Sequence, residues 1–169
     1  MIFKTLWQNK SKSKDKLAEI RSFSDKFNYK TNIHLRFIDF DMMGHVNNSV
    51  YFTYLEIART KYWEEIIKWD WKKTGIVIAH AEVDYIHPIV ANDKIAIHVK
   101  TSRIGETSFD LNYQIVKING KEEVICSKGK TVCIAVDYTT KRPTAIPVAE
   151  KQKMIAFEQL AGQYNTPPE

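Results

Sequence analysis

Hydrophobic positions recur along this chain with two different periods, and the switches between them divide it into elements. From Thr31 to Phe37 the residues Thr31, Ile33, Leu35 and Phe37 alternate with polar neighbours, the two-residue period of a strand. Between Ser49 and Lys73 there is no glycine or proline. Tyr51, Tyr54, Leu55, Ala58, Tyr62 and Ile66 fall three and four residues apart there, which predicts one long helix ending near Trp69 to Gly75. The two-residue period then returns through Val77 to Tyr85, Ile95 to Thr101, Phe109 to Ile115 and Val124 to Val136. Asn119-Gly120 predicts a tight hairpin, because both central positions of such a turn need a positive φ. Gly129, inside the last strand pattern, predicts a bulge or a close backbone approach. Pro147 introduces a final helical pattern through Met154, Phe157 and Leu160. One strand, a long helix and four strands with hairpin-length links predict an α+β domain, a mostly antiparallel five-stranded sheet covering a helix. An open sheet of this kind has unpaired edges, which favour pairing with another chain.

Composition narrows the class. A chain of 169 residues with 44% hydrophobic and 27% charged positions suits one soluble globular domain. Residues 1–29 stand apart as a lysine-rich extension carrying Lys10, Lys12, Lys14 and Lys16, expected to be a solvated arm with a short helix at Leu17 to Arg21. The working division is therefore 1–29 as extension, 30–148 as the domain, and 149–169 as a C-terminal helix and tail. A formal charge of +5 suits an anionic ligand, but the basic residues are scattered without zinc-finger or RNP spacing, which argues against nucleic acid. Cys126 and Cys133, if on one strand, lie about 23 Å apart, too far to pair with each other. Two reduced thiols suit a cytoplasmic protein, and their spacing suggests no metal. Glu56, Arg59, Lys61, Glu64 and Glu65 interrupt the long helix, so no membrane insertion is expected.

The chemistry concentrates between Asp39 and Arg59. The run Asp39-Phe40-Asp41-Met42-Met43-Gly44-His45-Val46-Asn47-Asn48 places carboxylates, an imidazole and two asparagines just before the long helix. Either asparagine can cap that helix, whose first N–H groups lack partners and favour a negative oxygen. Gly44 permits a tight turn or lets a ligand approach the backbone. The run D-x-D-x-x-G-H-V-N-N-x-x-Y, followed by Tyr54-Leu55-Glu56-Ile57-Ala58-Arg59, resembles the signature of hotdog-fold acyl-CoA thioesterases of the 4-hydroxybenzoyl-CoA thioesterase type. The similarity extends over roughly Lys30 to Pro147. It includes Val83-Asp84-Tyr85-Ile86-His87-Pro88, Asp93-Lys94, Ile104-Gly105-Glu106-Thr107-Ser108-Phe109 and Val136-Asp137.

The resemblance implies a hotdog fold, with the sheet wrapped around the central helix, and a homodimer or tetramer with sites at the interface. It also implies hydrolysis of an acyl-CoA or acyl-carrier-protein thioester by Asp41, acting as general base or nucleophile, with no cofactor. Related thioesterases of the Tol-Pal envelope system carry a histidine where this chain has Asn48. Plant-type acyl-carrier-protein thioesterases share His-Val-Asn-Asn but have asparagine where this chain has Met43. Beside Asp41, His45 is a candidate to orient water or pass a proton, and the helix start near Asn48 is a candidate oxyanion site. Gly44, Asn47, Ser49 and Tyr51 are candidates for binding substrate. Five of them have an ordinary alternative: a turn for Asp41, capping for Asn47 and Asn48, a structural imidazole for His45, core packing for Tyr51. Glu56 and Arg59 are spaced for an ion pair on one helix face. Lys100, Arg103, Lys128 and Lys130 are candidate phosphate contacts, against the commoner solvent-facing role. Two other functions fit parts of the pattern: a non-catalytic acyl-thioester sensor, and a hotdog hydratase or dehydratase, whose Asp-x-Asn-Pro-x-x-His pattern this chain lacks.

Overall fold

The computed structural model describes residues 26–159. The expected lysine-rich arm up to residue 25 and the tail from Leu160 lie outside them. Strand β1 (Tyr29–Ile33) is followed by a 3-10 turn (Phe37–Asp39) and helix α1 (Asn48–Tyr62), which widens into a π turn (Trp63–Ile67). Strands β2 (Thr74–Tyr85), β3 (Ile95–Ile104), β4 (Ser108–Asn119) and β5 (Glu122–Asp137) come next, and helix α2 (Val148–Glu158) closes the described chain. The strands form one sheet in the order β1-β3-β4-β5-β2, and every neighbouring pair is antiparallel.

Alternation along the strands turns one face of the sheet toward α1. Val99 pairs with Tyr113 and Leu111 with Thr131, and all four are buried. Against them α1 sets Tyr51, Tyr54, Leu55, Ala58 and Tyr62, the three- and four-spaced residues of the sequence pattern. Gly129 marks where helix and sheet come closest: a Cβ built there would stand 2.9 Å from Leu55 Cδ1 and 3.2 Å from the Glu82 carbonyl oxygen. The irregularity in pairing falls three residues earlier, where Ile115 pairs with Ser127 but Val116 with Ile125, leaving Cys126 as the extra residue. Cys126 and Cys133 are buried free thiols on β5, and burial pushes the Cys133 thiol up to about 12.

Three boundaries differ from the sequence expectation. β1 stops at Ile33 although the alternation continues to Phe37, because the following residues turn so that the Arg36 N–H meets the Asp39 carboxylate at 2.8 Å. The long helix ends at Lys68, which adopts a left-handed φ of 52°, and Trp69 then folds back into the core with its Nε1 donating to the Thr74 oxygen at 2.9 Å. Gly75 lies inside β2 instead of terminating the helix. The hairpin is shifted by one residue: Asn119 pairs with Glu122, so Gly120 and Lys121 form the loop, and Gly120 alone has the positive φ, 64°. A glycine at the first loop position satisfies that geometry by itself.

α2 is bound to the body at both ends. Met154 is fully buried, and the Glu158 carboxylate accepts hydrogen bonds from the Tyr62 hydroxyl at 2.8 Å and the Thr101 N–H at 3.1 Å. At the other end of the sheet β2 is an edge strand, twelve residues long, with Val77 and Ile78 open to solvent.

The packing at Gly129 generates a first expectation. Gly129→Ala forces a methyl into Leu55 and the β2 backbone, an overpacking cost of about 1 to 3 kcal/mol. Urea unfolding should show the midpoint falling, and an unchanged or raised midpoint would mean that helix and sheet are not so closely apposed.

Candidate active site

The two acids of the Asp-x-Asp pair have opposite surroundings. Asp39 ends the 3-10 turn and is 1% exposed. Its Oδ2 accepts from the Arg36 N–H at 2.8 Å and the Tyr54 hydroxyl at 2.7 Å, and its Oδ1 from Arg36 Nε at 3.0 Å and Nη2 at 2.8 Å. Burial works to raise its pKa, but the hydrogen bonds from Arg36 and Tyr54 and the Arg36 charge outweigh it and hold the carboxyl below the usual range. Asp39 is therefore an ionised anchor. Its carbonyl oxygen also accepts the Asn47 N–H at 2.8 Å, tying the turn to the start of α1. The sequence marks this acid but carries no local sign of its role, because Tyr54 comes from a different element.

Asp41 is exposed, and no ion pair involves it among the described residues. The chain reverses at Gly44, whose φ of 73° favours a residue without a side chain, and Phe40 and Val46 bridge across the reversal. The Asp41 N–H donates to the His45 oxygen at 2.9 Å, and the Gly44 N–H to the Asp41 oxygen at 3.0 Å. Within this turn the Asp41 Oδ1 accepts from the N–H groups of Met43 at 2.8 Å and His45 at 3.3 Å. One carboxylate oxygen is thus held by the backbone, and Oδ2 has no partner among the described residues. His45 is half-buried, and its imidazole makes no hydrogen bond among the described residues.

The helix start follows at once. Asn47 is the cap: its Oδ1 accepts from the Ser49 N–H at 3.0 Å and the Ser49 hydroxyl at 2.8 Å. Its carbonyl accepts the Val50 N–H at 2.9 Å. With the Asn47 N–H given to Asp39, the Asn48 N–H is left without an acceptor among the described residues. On the far side, the Tyr85 hydroxyl at the end of β2 donates to the Asn48 carbonyl at 2.9 Å. Tyr51 is 3% exposed in the core, its ring edge-on to Tyr85 with centroids 4.9 Å apart, and burial first, with nearby Cys126 and Tyr85, pushes its phenol up to about 12.

Asp41, Gly44 and His45 are thus bonded to one another in the reversal, Asn47 and Ser49 to each other at the helix start, and the Asn47 N–H bond to Asp39 joins the helix start to the 3-10 turn before the reversal. Along the same segment Phe37, Ile38, Met42 and Met43 expose apolar side chains to solvent. The distant cations have other work. Arg103 and Lys130 both bind the buried Asp110, at 2.8 and 2.9 Å, and Lys100 is buried with its ammonium 4.8 Å from the Phe27 ring centre. Of the four candidate phosphate contacts, those three are engaged within the chain: Arg103 and Lys130 by an opposite charge on the strand between them, and Lys100 against an aromatic ring. The Glu56–Arg59 pair forms, at 3.7 Å. Among the described residues there is no cluster able to hold a metal, and no helix long and apolar enough to cross a membrane.

Comparison with known proteins agrees with this architecture. Residues 35–156 match the model of the thioesterase-like superfamily. A crystal structure of a Thermus thermophilus thioesterase complexed with coenzyme A and zinc superposes with a TM-score of 0.69 at 30% identity, covering 80% of this chain and 98% of that one. The acyl-acyl carrier protein thioesterase ATL3 of Arabidopsis thaliana is 26% identical over 76% of this chain and 68% of its own length. A 1,4-dihydroxy-2-naphthoyl-CoA hydrolase of Rippkaea orientalis is 31% identical over 42% of this chain and 51% of its own length.

The anchor at Asp39 is testable by stability. Tyr54→Phe removes a hydrogen bond to a buried charge, with an expected cost of about 2 kcal/mol in urea unfolding at pH 7. Because the folded pKa is lowered, the contribution of Asp39 is complete above the unfolded value of about 4 and is lost as pH falls through the folded value. Asp39→Asn should therefore flatten the acid limb of the stability curve by up to about 1.4 kcal/mol per pH unit. An acid limb identical to wild type would contradict the assignment.

Proposed function

Because this chain belongs to the thioesterase-like superfamily, we propose that it hydrolyses an acyl thioester of coenzyme A or of an acyl-carrier protein, with Asp41 as the reacting carboxylate. The observation that carries this reading is the unequal fate of the two acids: Asp39 is consumed by structure, while Asp41 Oδ2, in the reversal just after it, and the Asn48 N–H, at the helix start tied to Asp39, have no partner among the described residues. The arrangement is read as that of the 4-hydroxybenzoyl-CoA thioesterase type. The chosen thioesters also follow the relatives, which include a coenzyme A complex, a carrier-protein thioesterase and a CoA hydrolase.

Two routes use the same atoms. In one, Asp41 Oδ2 takes a proton from water as the water oxygen bonds to the thioester carbon. In the other, Oδ2 itself bonds to that carbon, and water later cleaves the resulting anhydride. In both, the C–S bond breaks, the thiolate leaves and is protonated, and a carboxylic acid is released. Negative charge gathers on the carbonyl oxygen in each, and the Asn48 N–H at the positive end of α1 is the donor proposed to hold it. A donor of this kind contributes about 3 kcal/mol to the transition state. His45 serves as the group that orients water or carries the proton. Gly44, Asn47 and Ser49 shape the approach of the acyl carbonyl, and Tyr51 is the floor beneath it. No cofactor enters this scheme.

The working assembly is a homodimer, or a tetramer built from it, formed through the open edge of β2. A twelve-residue edge strand with exposed apolar side chains invites pairing with a second copy. Buried free thiols fit a cytoplasmic setting.

Thiol release from a panel of acyl-CoAs tests the chemistry. Asp41→Asn should lower kcat by at least about 100-fold with folding intact. Equal turnover by both forms would remove Asp41 from the mechanism, and tight acyl-CoA binding without turnover would make the protein a sensor. Sedimentation tests the assembly: the 19.7 kDa chain should run at twice its mass or more, and Ile78→Lys should shift it toward monomer. A monomeric wild type would exclude the edge-paired dimer.

A further inference from the structure

The proposed oxyanion donor is a single N–H, so its direction matters more than that of any other group in the turn. The peptide units on either side of the Asn48 Cα decide that direction. The unit before it has its carbonyl, from Asn47, held by the Val50 N–H at 2.9 Å. The unit after it is held at both ends: its N–H, from Ser49, goes to the Asn47 Oδ1 at 3.0 Å, and its carbonyl, from Asn48, takes the Tyr85 hydroxyl at 2.9 Å. Of these contacts, the Tyr85 bond is the one that comes from another element. Asn47, Ser49 and Val50 belong to the helix start itself, which the Asn47 N–H ties to the 3-10 turn at Asp39, whereas Tyr85 is the last residue of β2 and ties it to the sheet through its pairing with Ser127 of β5. Its ring is further held edge-on by Tyr51, which points down from the first turn of α1.

We infer that Tyr85 is a positioning residue for thioester hydrolysis: its hydroxyl fixes the first turn of α1 against the sheet and so aims the Asn48 N–H at the developing oxyanion. The inference rests on the proposed reaction and adds to it a group that does not touch substrate. Preorganised donors act because they are already aimed when charge appears, and a donor free to swing loses part of that advantage. A loosely aimed N–H still binds the oxygen, so the loss falls short of the 100-fold or more expected for deleting a donor outright. The position also links the site to the edge strand through which a second copy is proposed to pair, since β2 carries both.

Tyr85→Phe keeps the ring and its contact with Tyr51 and removes only the hydroxyl. Steady-state thiol release should show kcat reduced about tenfold, equivalent to about 1.4 kcal/mol, with KM within about twofold of wild type. Tyr62→Phe is the matched control: it loses a hydroxyl bonded to Glu158 and Thr101 at the far end of the same helix, and its kcat should stay at the wild-type value. A Tyr85→Phe enzyme with wild-type kcat, measured where Asp41→Asn is inactive, would overturn the positioning role and leave the proposed reaction standing. Equal loss of kcat in Tyr62→Phe would overturn it too, by showing a general effect of loosening the helix. A wild-type protein that hydrolyses no acyl thioester would take both readings down together. The amide proton resonance of Asn48 gives a readout independent of turnover. Addition of an unreactive acyl-CoA ketone should shift it downfield in wild type and by less than half as much in Tyr85→Phe, and equal shifts would contradict the inference.

Discussion

A carboxylate buried to 1% exposure is tolerated only if every oxygen is satisfied, and at Asp39 that requirement organises the site. The donors come from three places: the Arg36 backbone and guanidinium just before it, and the Tyr54 hydroxyl from the second turn of α1. Satisfying them ends β1 early, curls the chain into a 3-10 turn and ties that turn to the helix. The Asp39 carbonyl then takes the Asn47 N–H, which brings the helix cap beside the reversal that carries Asp41. Two residues of the same type, separated by one phenylalanine, thereby become an anchor and an open acid.

The sheet supplies the other half of the constraint. Gly129 lets Leu55 of α1 approach the strands closely, and Tyr85 at the end of β2 reaches the first carbonyl of the same helix. The helix is thus held along its length: by Tyr85 at its start, by Leu55 against β5 in the middle, and by Tyr62 against β3 and α2 near its end. With its ends and middle fixed, the amides of its first turn point in set directions. One of them, from Asn48, has no acceptor among the described residues, which is how a folded chain offers hydrogen-bonding capacity to a ligand.

Much of this was legible in the sequence because it depends on period. The five strands and the central helix follow from alternation and from the Tyr51-Tyr54-Leu55-Ala58-Tyr62 spacing, and the antiparallel sheet covering one helix follows from their order. Gly129 was legible as a bulge or a close approach; the close approach is at Gly129 and the bulge three residues before it. What was not legible depended on partners brought from elsewhere. Leu35 and Phe37 continue the strand pattern but belong to a turn, because Asp39 captures the Arg36 N–H. Lys130 and Arg103 look like free cations until β4 sets Asp110 between them. The hairpin at Gly120 moved by one residue because a lone glycine suffices at the first loop position, so Asn119 remained in the strand. At the site, the residues of the turn were all named in advance. The burial of Asp39 as an anchor was not, because it depends on the Tyr54 hydroxyl from another element, and neither was the link from Tyr85 to Asn48.

The central claim is that the open acid and the unclaimed amide face the same carbonyl group. The most direct measurement is a crystal structure of the protein with an acyl-CoA analogue in which the sulfur is replaced by methylene, leaving a ketone that cannot be cleaved. The account predicts the ketone oxygen within about 3 Å of the Asn48 nitrogen, with Asp41 Oδ2 in line with the carbonyl carbon directly or through one water. A ketone bound away from this turn, or with its oxygen held by other donors while Asp41 faces solvent, would contradict it.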